Sequence, residues 1–170
     1  MTRFIKVKKM RPLIMEMIYK YNFLSNFYDC KVTYDGITYR NSEAAFQAQK
    51  TKTKHERLRF ANLPPQKAKS MGRGVELRED WEEVKDQIMY EVVKAKFQQN
   101  PDLKQRLLDT GDAEIVEGNH HRDWYWGVDM GTMQGYNKLG KICEKVREEL
   151  GGWKRDYTDE DVGLKLKFVE

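Results

Sequence analysis

Residues 30–50 read C-K-V-T-Y-D-G-I-T-Y-R-N-S-E-A-A-F-Q-A-Q-K, and this stretch decides the fold. Two runs of β-branched and aromatic residues flank Asp35-Gly36. A two-residue loop of this composition favours the type I′ turn, whose central residues both take positive φ, so the stretch predicts an antiparallel hairpin. Asn41 or Ser42 then stands where a helix needs its N-cap, with Glu43 in the first turn. Ala44, Ala45, Phe46, Gln47 and Ala48 are compact and mostly good helix formers. A hairpin running straight into a short helix implies an α+β domain.

The flanks are mostly helical. Upstream, residues 13–19 are apolar and predict a strand, and residues 21–28 form an irregular cluster of aromatics and amides. Downstream, residues 54–61 predict a helix. Pro65 opens a short helix through Met71, and Gly72-Arg73-Gly74 reads as a loop. Asp80 and Glu83 have the spacing of a capping box. Behind them Trp81, Val84, Ile88, Val92 and Ala95 share a helix face that ends near Asn100-Pro101. Leu103, Leu107 and Leu108 mark another short helix, residues 114–117 a strand, and residues 118–136 a loop. A final amphipathic helix over 137–150 turns Leu139, Ile142, Cys143, Val146 and Leu150 inward, and Gly151-Gly152 ends it. Residues 164–169 alternate like an edge strand. The expected organisation is a basic arm (1–12), one mainly helical α+β domain with a small sheet or hairpin (13–152), and a C-terminal extension (153–170).

Composition narrows the function classes. The 170 residues are 39% hydrophobic, 34% charged and 12% aromatic. That suits one folded domain, and no apolar run is long enough for a bilayer. Residues 1–11 carry Arg3, Lys6, Lys8, Lys9 and Arg11 but lead into no apolar segment, so no secretory signal is expected. Two cysteines, Cys30 and Cys143, make no disulfide framework and fit a reducing cytoplasm. The balance of 31 Lys+Arg against 27 Asp+Glu, net +4, permits a nucleotide or nucleic-acid partner without requiring one.

No P-loop, GxSxG, HExxH or Rossmann fingerprint is present. His120-His121 are adjacent and read as a solvated loop, and His55 lies in a charged surface run. Three features stand out. Glu43 and Lys50 are two helical turns apart and face the same way, separated by small, aromatic and amide residues suited to a polar pocket. Asp123-Trp124-Tyr125-Trp126-Gly127 sets a carboxylate among stacking rings, at least one of which should be plain core. Gly127, Gly131, Gly135 and Gly140 precede or enter a helix, where free N–H groups can cradle phosphate; Arg73 adds a cation.

The order of short motifs resembles the NADAR, or YbiA-like, family over residues 16–150. They are N-F-L-S-N-F-Y (22–28), Y-x-N-S-E-x-x-F-Q-A-Q-K (39–50), M-G-R (71–73), D-W-x-x-V-K-x-x-I-M (80–89), A-K-F (95–97), L-L-D-T-G-D (107–112), I-V-E (115–117), D-x-x-W-G (123–127) and G-x-N-x-L-G (135–140). The resemblance implies an α+β N-glycosidase cleaving ribose from an exocyclic base amine. Its substrates would be ribosylamino-pyrimidine phosphates of riboflavin synthesis or ADP-ribosylated guanine in nucleic acid. Glu43, Lys50 and Asp123 would be catalytic. Asn26, Phe27, Arg73, Trp81, Trp126, Gly127 and Asn137 would bind substrate. No metal or other cofactor is implied. The partners would be a phosphoribosyl or ADP-ribosyl nucleotide, or modified nucleic acid, with no membrane. The alternatives are an ADP-ribose or NAD-binding module without turnover, which needs the aromatics but not Lys50, and a nucleic-acid-binding protein acting through its basic arm.

Overall fold

The structure, a computed structural model, describes residues 10–154. In chain order it contains β1 (Leu13–Ile14), a 3₁₀ turn (Tyr19–Leu24), β2 (Asp29–Tyr34), β3 (Ile37–Asn41), α1 (Ser42–Ala48), α2 (Lys54–Leu58), α3 (Pro65–Arg73), α4 (Trp81–Gln99), α5 (Pro101–Leu108), β4 (Glu114–Ile115), β5 (Gly118–Asn119), β6 (Val128–Asp129) and α6 (Lys138–Glu149). The α+β class expected from sequence holds, but the strands form three separate two-stranded pairs: β2 with β3, and the parallel pairs β1–β4 and β5–β6.

The hairpin forms with Val32 opposite Tyr39 and Tyr34 opposite Ile37. Asp35 (φ +49°) and Gly36 (φ +73°) both adopt the left-handed region that a type I′ turn needs. Asn41 is the cap: its Oδ1 accepts from the Ala44 N–H at 2.8 Å, and its Nδ2 donates to Leu63 O at 2.9 Å. Every residue of α1 is buried, against the hairpin, α3 and α4.

Helix α4 is the central strut. It buries Trp81, Ile88, Met89, Val92, Val93, Lys96 and Phe97, while Val84 and Ala95 are only half-buried. The full burial of Phe97, Leu103 and Leu107 contributes about 1.5–3 kcal/mol per side chain. Lys96 Nζ donates to Ser25 O at 2.8 Å and so ties α4 to the turn at residues 25–27. Burial pushes its pKa down to about 8.

Several expectations are corrected. The capping box at Asp80 does not form, because Arg78 grips the Asp80 carboxylate with two hydrogen bonds, 2.6 and 2.9 Å. The strand over 13–19 stops at Ile14, and Tyr19 starts the 3₁₀ turn with φ +49°. Gly72 and Arg73 lie inside α3, not in a loop. A Cβ at Gly72 would come within 2.0 Å of Gln47 Oε1, so this glycine permits close packing of α3 on α1. Within 118–136, expected as loop, lie β5 and β6. In α6, Leu139, Cys143 and Val146 are buried and Ile142 is half-buried, as is Leu150 at the helix C-cap; Gly151 (φ +99°) follows it.

The two ends of the described chain meet. Arg11 donates to Asp112 O (2.6 Å) and to Glu144 (2.7 Å), and its guanidinium lies 4.7 Å from the centre of the Trp153 ring. The expected strand at 164–169 and the arm before Met10 lie outside the described residues. Among the described residues, no helix is long and apolar enough to cross a membrane. Cys30 and Cys143 are both free thiols.

Candidate active site

A cleft of about 770 Å³ opens where α1, α3, the start of α4, the 25–27 turn and the 117–126 segment converge. From α1 and the turn after it come Glu43, Phe46, Gln47 and Lys50, the i, i+3, i+4, i+7 positions of one helical face. The helix itself ends at Ala48, short of Lys50, and not beyond it as the two-turn spacing predicts. The chain continues in a tighter turn, with the Lys50 N–H bonded to Gln47 O at 3.2 Å, and Lys50 stays on the cleft face. Lys69 and Arg73 enter from α3, one turn apart, and Trp81, Lys85 and Met89 from α4. The 117–126 segment contributes Glu117, Asn119, Asp123, Tyr125 and Trp126.

Of the residues singled out by sequence, Asn26, Phe27, Glu43, Lys50, Arg73, Trp81, Asp123 and Trp126 all line this one cleft. Gly127 and Asn137 do not. A Cβ on Gly127 would lie 1.7 Å from Glu117 Oε2 and 2.1 Å from Glu117 O, so Gly127 makes room for the acid. Asn137, at φ +50°, is spent on the fold: Oδ1 accepts from the Glu117 N–H (3.0 Å) and Nδ2 donates to Ile115 O (2.8 Å).

In the glycine-rich segment, Gly135 and Gly140 serve close packing. Gly135 and Gly140 each let backbone approach within 2.1 Å of where a Cβ would sit. The N–H groups of Tyr136, Asn137 and Leu139 already bond to the carbonyls of Trp124, Gly127 and Trp126. Nor is any of the three rings at 124–126 plain buried core: Trp124 is exposed, and Tyr125 and Trp126 are half-buried. Phe46 links the two cleft tryptophans, with ring centres 5.2 Å from Trp81 and 5.4 Å from Trp126.

The electrostatics follow from burial. Glu43 is 6% exposed, and desolvation pushes its carboxyl above the usual carboxylate range. The Gln47 Nε2–H donated to Glu43 Oε1 at 2.8 Å opposes that shift, as do Lys69 and Lys50, while Asp123 adds to it. Lys50 is pushed down by burial and by the cations Arg73 and Lys69; Glu43 and Glu82 oppose this. Its Nζ lies 5.8 Å from the centre of the Trp81 ring. Asp123 is fixed in a turn: Oδ1 accepts from the N–H groups of Tyr125 (3.1 Å) and Trp126 (2.9 Å). Asn119 clamps its backbone, with Oδ1 accepting the Asp123 N–H (3.0 Å) and Nδ2 donating to its carbonyl (2.9 Å).

Sequence reasoning passed over Glu117, Asn119, Lys69 and the histidines as cleft residues. His120, read as merely solvated, is exposed but lines the cleft rim and lies 3.1 Å from Glu16. The available signal was the I-V-E motif, which ends in an acid between two short strands, β4 and β5.

The fold and the cleft together define a small α+β domain whose pocket combines a desolvated lysine, a buried carboxyl with two half-buried ones, and aromatic walls. The chain belongs to the NADAR domain family, which matches residues 5–151. It is similar to a protein of Escherichia coli named N-glycosidase YbiA, 40% identical over 135 residues, covering 76% of this chain and 82% of that one. It is also similar to a riboflavin biosynthesis protein of Vibrio vulnificus, 38% identical over 133 residues; the match takes in 76% of this chain and only 36% of that longer protein. The NMR structure of E. coli YbiA superposes with a TM-score of 0.72 at 36% identity, covering 84% of this chain and 87% of that chain.

Proposed function

We propose that this protein is an N-glycosidase that hydrolyses the bond between a ribose phosphate and an exocyclic amine of a pyrimidine, the ribosylamino-pyrimidine phosphates of riboflavin synthesis being its substrate class. The observation that carries this reading is the meeting of Lys50, Glu43 and Asp123 in one aromatic-walled cleft. The names of the E. coli and V. vulnificus relatives support it.

The chemistry suits that set. A ribosylamine opens its ring to an imine, and a neutral amine can attack C1′. Lys50, with its pKa lowered by burial, is the nucleophile; it displaces the base amine through a Schiff base that water then resolves. Glu43, whose carboxyl burial pushes upward, moves protons at the ring oxygen and the water. Asp123 stabilises positive charge at C1′. Trp81 and Trp126 hold the base, Asn26 and Phe27 line its approach, and Lys69 and Arg73 supply cations for phosphate.

The test is direct. The protein is incubated separately with a ribosylaminopyrimidine 5′-phosphate and with an oligonucleotide carrying ADP-ribosylated guanine, and release of sugar and base is followed by mass spectrometry. Release from the pyrimidine is the expected result. Release from the oligonucleotide alone would move the substrate class to ADP-ribosyl-guanine, and release from neither would overturn the enzymatic reading.

A further inference from the structure

Glu117 is an acid of the cleft that the reaction outlined above does not use, and the structure builds a specific place for it. It sits between β4 and β5, immediately before Gly118, and its N–H is held by Asn137 Oδ1 at 3.0 Å. Its Oε2 accepts from Asn119 Nδ2 at 3.1 Å and occupies space that exists only because residue 127 has no side chain. The same Asn119 clamps the backbone of Asp123, so one amide fixes two acids on one wall. Glu43 and Lys50 line the cleft from α1 and the turn beyond it.

We propose that Glu117 is the proton donor to the departing amine; this rests on the N-glycosidase reading. As the C1′–N bond breaks, its electron pair passes to nitrogen, which leaves as a free amine only after gaining a proton. Glu117 gives that proton and becomes a carboxylate. The water that supplies oxygen to C1′ releases one proton to a cleft carboxylate, Glu43 or Asp123, and exchange with solvent restores Glu117. Atoms and charge balance whether C1′ is attacked by Lys50 or by water.

The groups acting on Glu117 fit the role. Burial raises its pKa to about 7, Asp123 and Glu43 push the same way, and the Asn119 hydrogen bond and Lys69 oppose them. It therefore carries its proton at neutral pH far more often than an ordinary carboxyl.

The experiment compares two leaving groups on the same ribose 5′-phosphate: the aminopyrimidine, which needs a proton, and p-nitrophenolate, which does not and which Lys50 or water displaces directly at C1′ without prior ring opening. Wild-type kcat/KM for the aminopyrimidine should fall as pH rises above about 7, and the p-nitrophenyl substrate should lack that limb. Glu117→Gln should lower kcat on the aminopyrimidine by about 10²–10⁴-fold and remove the limb, while changing p-nitrophenyl turnover only a few-fold. A Gln variant that keeps aminopyrimidine turnover, or that loses both substrates equally while still melting cooperatively, overturns the proposal. Should the variant not fold, the wild-type comparison decides alone: an identical alkaline limb for both leaving groups rejects Glu117 as the donor. A wild type inactive on the aminopyrimidine defeats the N-glycosidase reading itself, and the proton-donor role with it, whereas an active wild type with an unaffected Gln variant defeats only the role of Glu117.

Discussion

Gly127 and Glu117 are complementary shapes: the methyl group that glycine lacks would lie 1.7 Å from the acid's Oε2 and 2.1 Å from its carbonyl oxygen. Gly127→Ala must therefore displace either the side chain or the backbone of Glu117. Overpacking of this kind costs about 1–3 kcal/mol. We expect a lower melting temperature together with a loss of turnover larger than the destabilisation explains, checked by thermal unfolding and steady-state kinetics on the same preparation.

Glu117 also makes a prediction about stability against pH. Its carboxyl rises from 4.5 in the unfolded chain to about 7 in the fold. The folded state thus holds its proton more tightly between those values. Stability from this group is greatest below pH 4.5, falls as pH rises through the interval, and stays low above about 7. Glu117→Gln keeps an acceptor for Asn119 but cannot ionise. The difference in unfolding free energy, variant minus wild type, should grow across this window toward a plateau on the order of 3 kcal/mol. Urea unfolding at several pH values measures it; a difference that stays flat with pH would contradict the assignment.

Arg11 should matter more than its place at the edge of the domain suggests. It bonds to Asp112 O and Glu144 and covers the Trp153 ring, joining the start of the domain to its end. Arg11→Ala should cost about 1–3 kcal/mol, since these partly buried hydrogen bonds involve charge. Deletion of residues 1–9 should leave turnover of a small nucleotide intact. Chemical denaturation and activity of the two variants check both statements.

What the sequence disclosed and what it hid divide along the range of the interactions. The Asp35-Gly36 turn and the Asn41 cap were legible because each is settled within four residues. The Asp80–Glu83 capping box failed for an equally local reason, the capture of Asp80 by Arg78, which a spacing rule does not weigh. In the site, Glu43 and Lys50 were legible from their shared helical face. Glu117 was not, because its position is set by a glycine ten residues on and its proton affinity first by burial in the assembled cleft, then by Asp123 and Glu43. The packing role of Gly140 was hidden for the same reason: it lets the backbone of α6 approach Ile115 O of β4, a contact visible only once the two elements pack.

Glu43→Gln separates two effects at one position. Burial disfavours the Glu43 carboxylate, so an amide of the same shape relieves a desolvation penalty and should leave the fold at neutral pH as stable or more so. The same change removes a group able to move protons. The expected result is a raised or unchanged melting temperature, near-normal substrate binding by calorimetry, and turnover reduced by about 10²–10⁴-fold. Normal turnover in the variant would take Glu43 out of the chemistry.

Lys50 offers the sharpest test, because its two possible roles respond oppositely to arginine. Arginine keeps a positive charge and the capacity to bind phosphate, but it is not a nucleophile and does not lose its proton in the accessible pH range. If Lys50 only bound phosphate, Lys50→Arg would be tolerated and Lys50→Ala would not. With Lys50 as the attacking amine, the two variants should be almost equally inactive. Its lowered pKa carries a further consequence, since the neutral amine attacks. Activity should fall on the acid side as Lys50 takes up its proton, and rise with pH until the proton donor becomes limiting. Borohydride added during turnover should trap the wild-type protein as a secondary amine, with a mass increase equal to the reduced sugar phosphate, located on the peptide containing Lys50. An active Lys50→Arg variant and an untrapped wild type would reject the covalent route. Catalysis would then fall to water activated by Glu43 or Asp123 and attacking C1′ directly, as carboxylates do in glycoside hydrolysis.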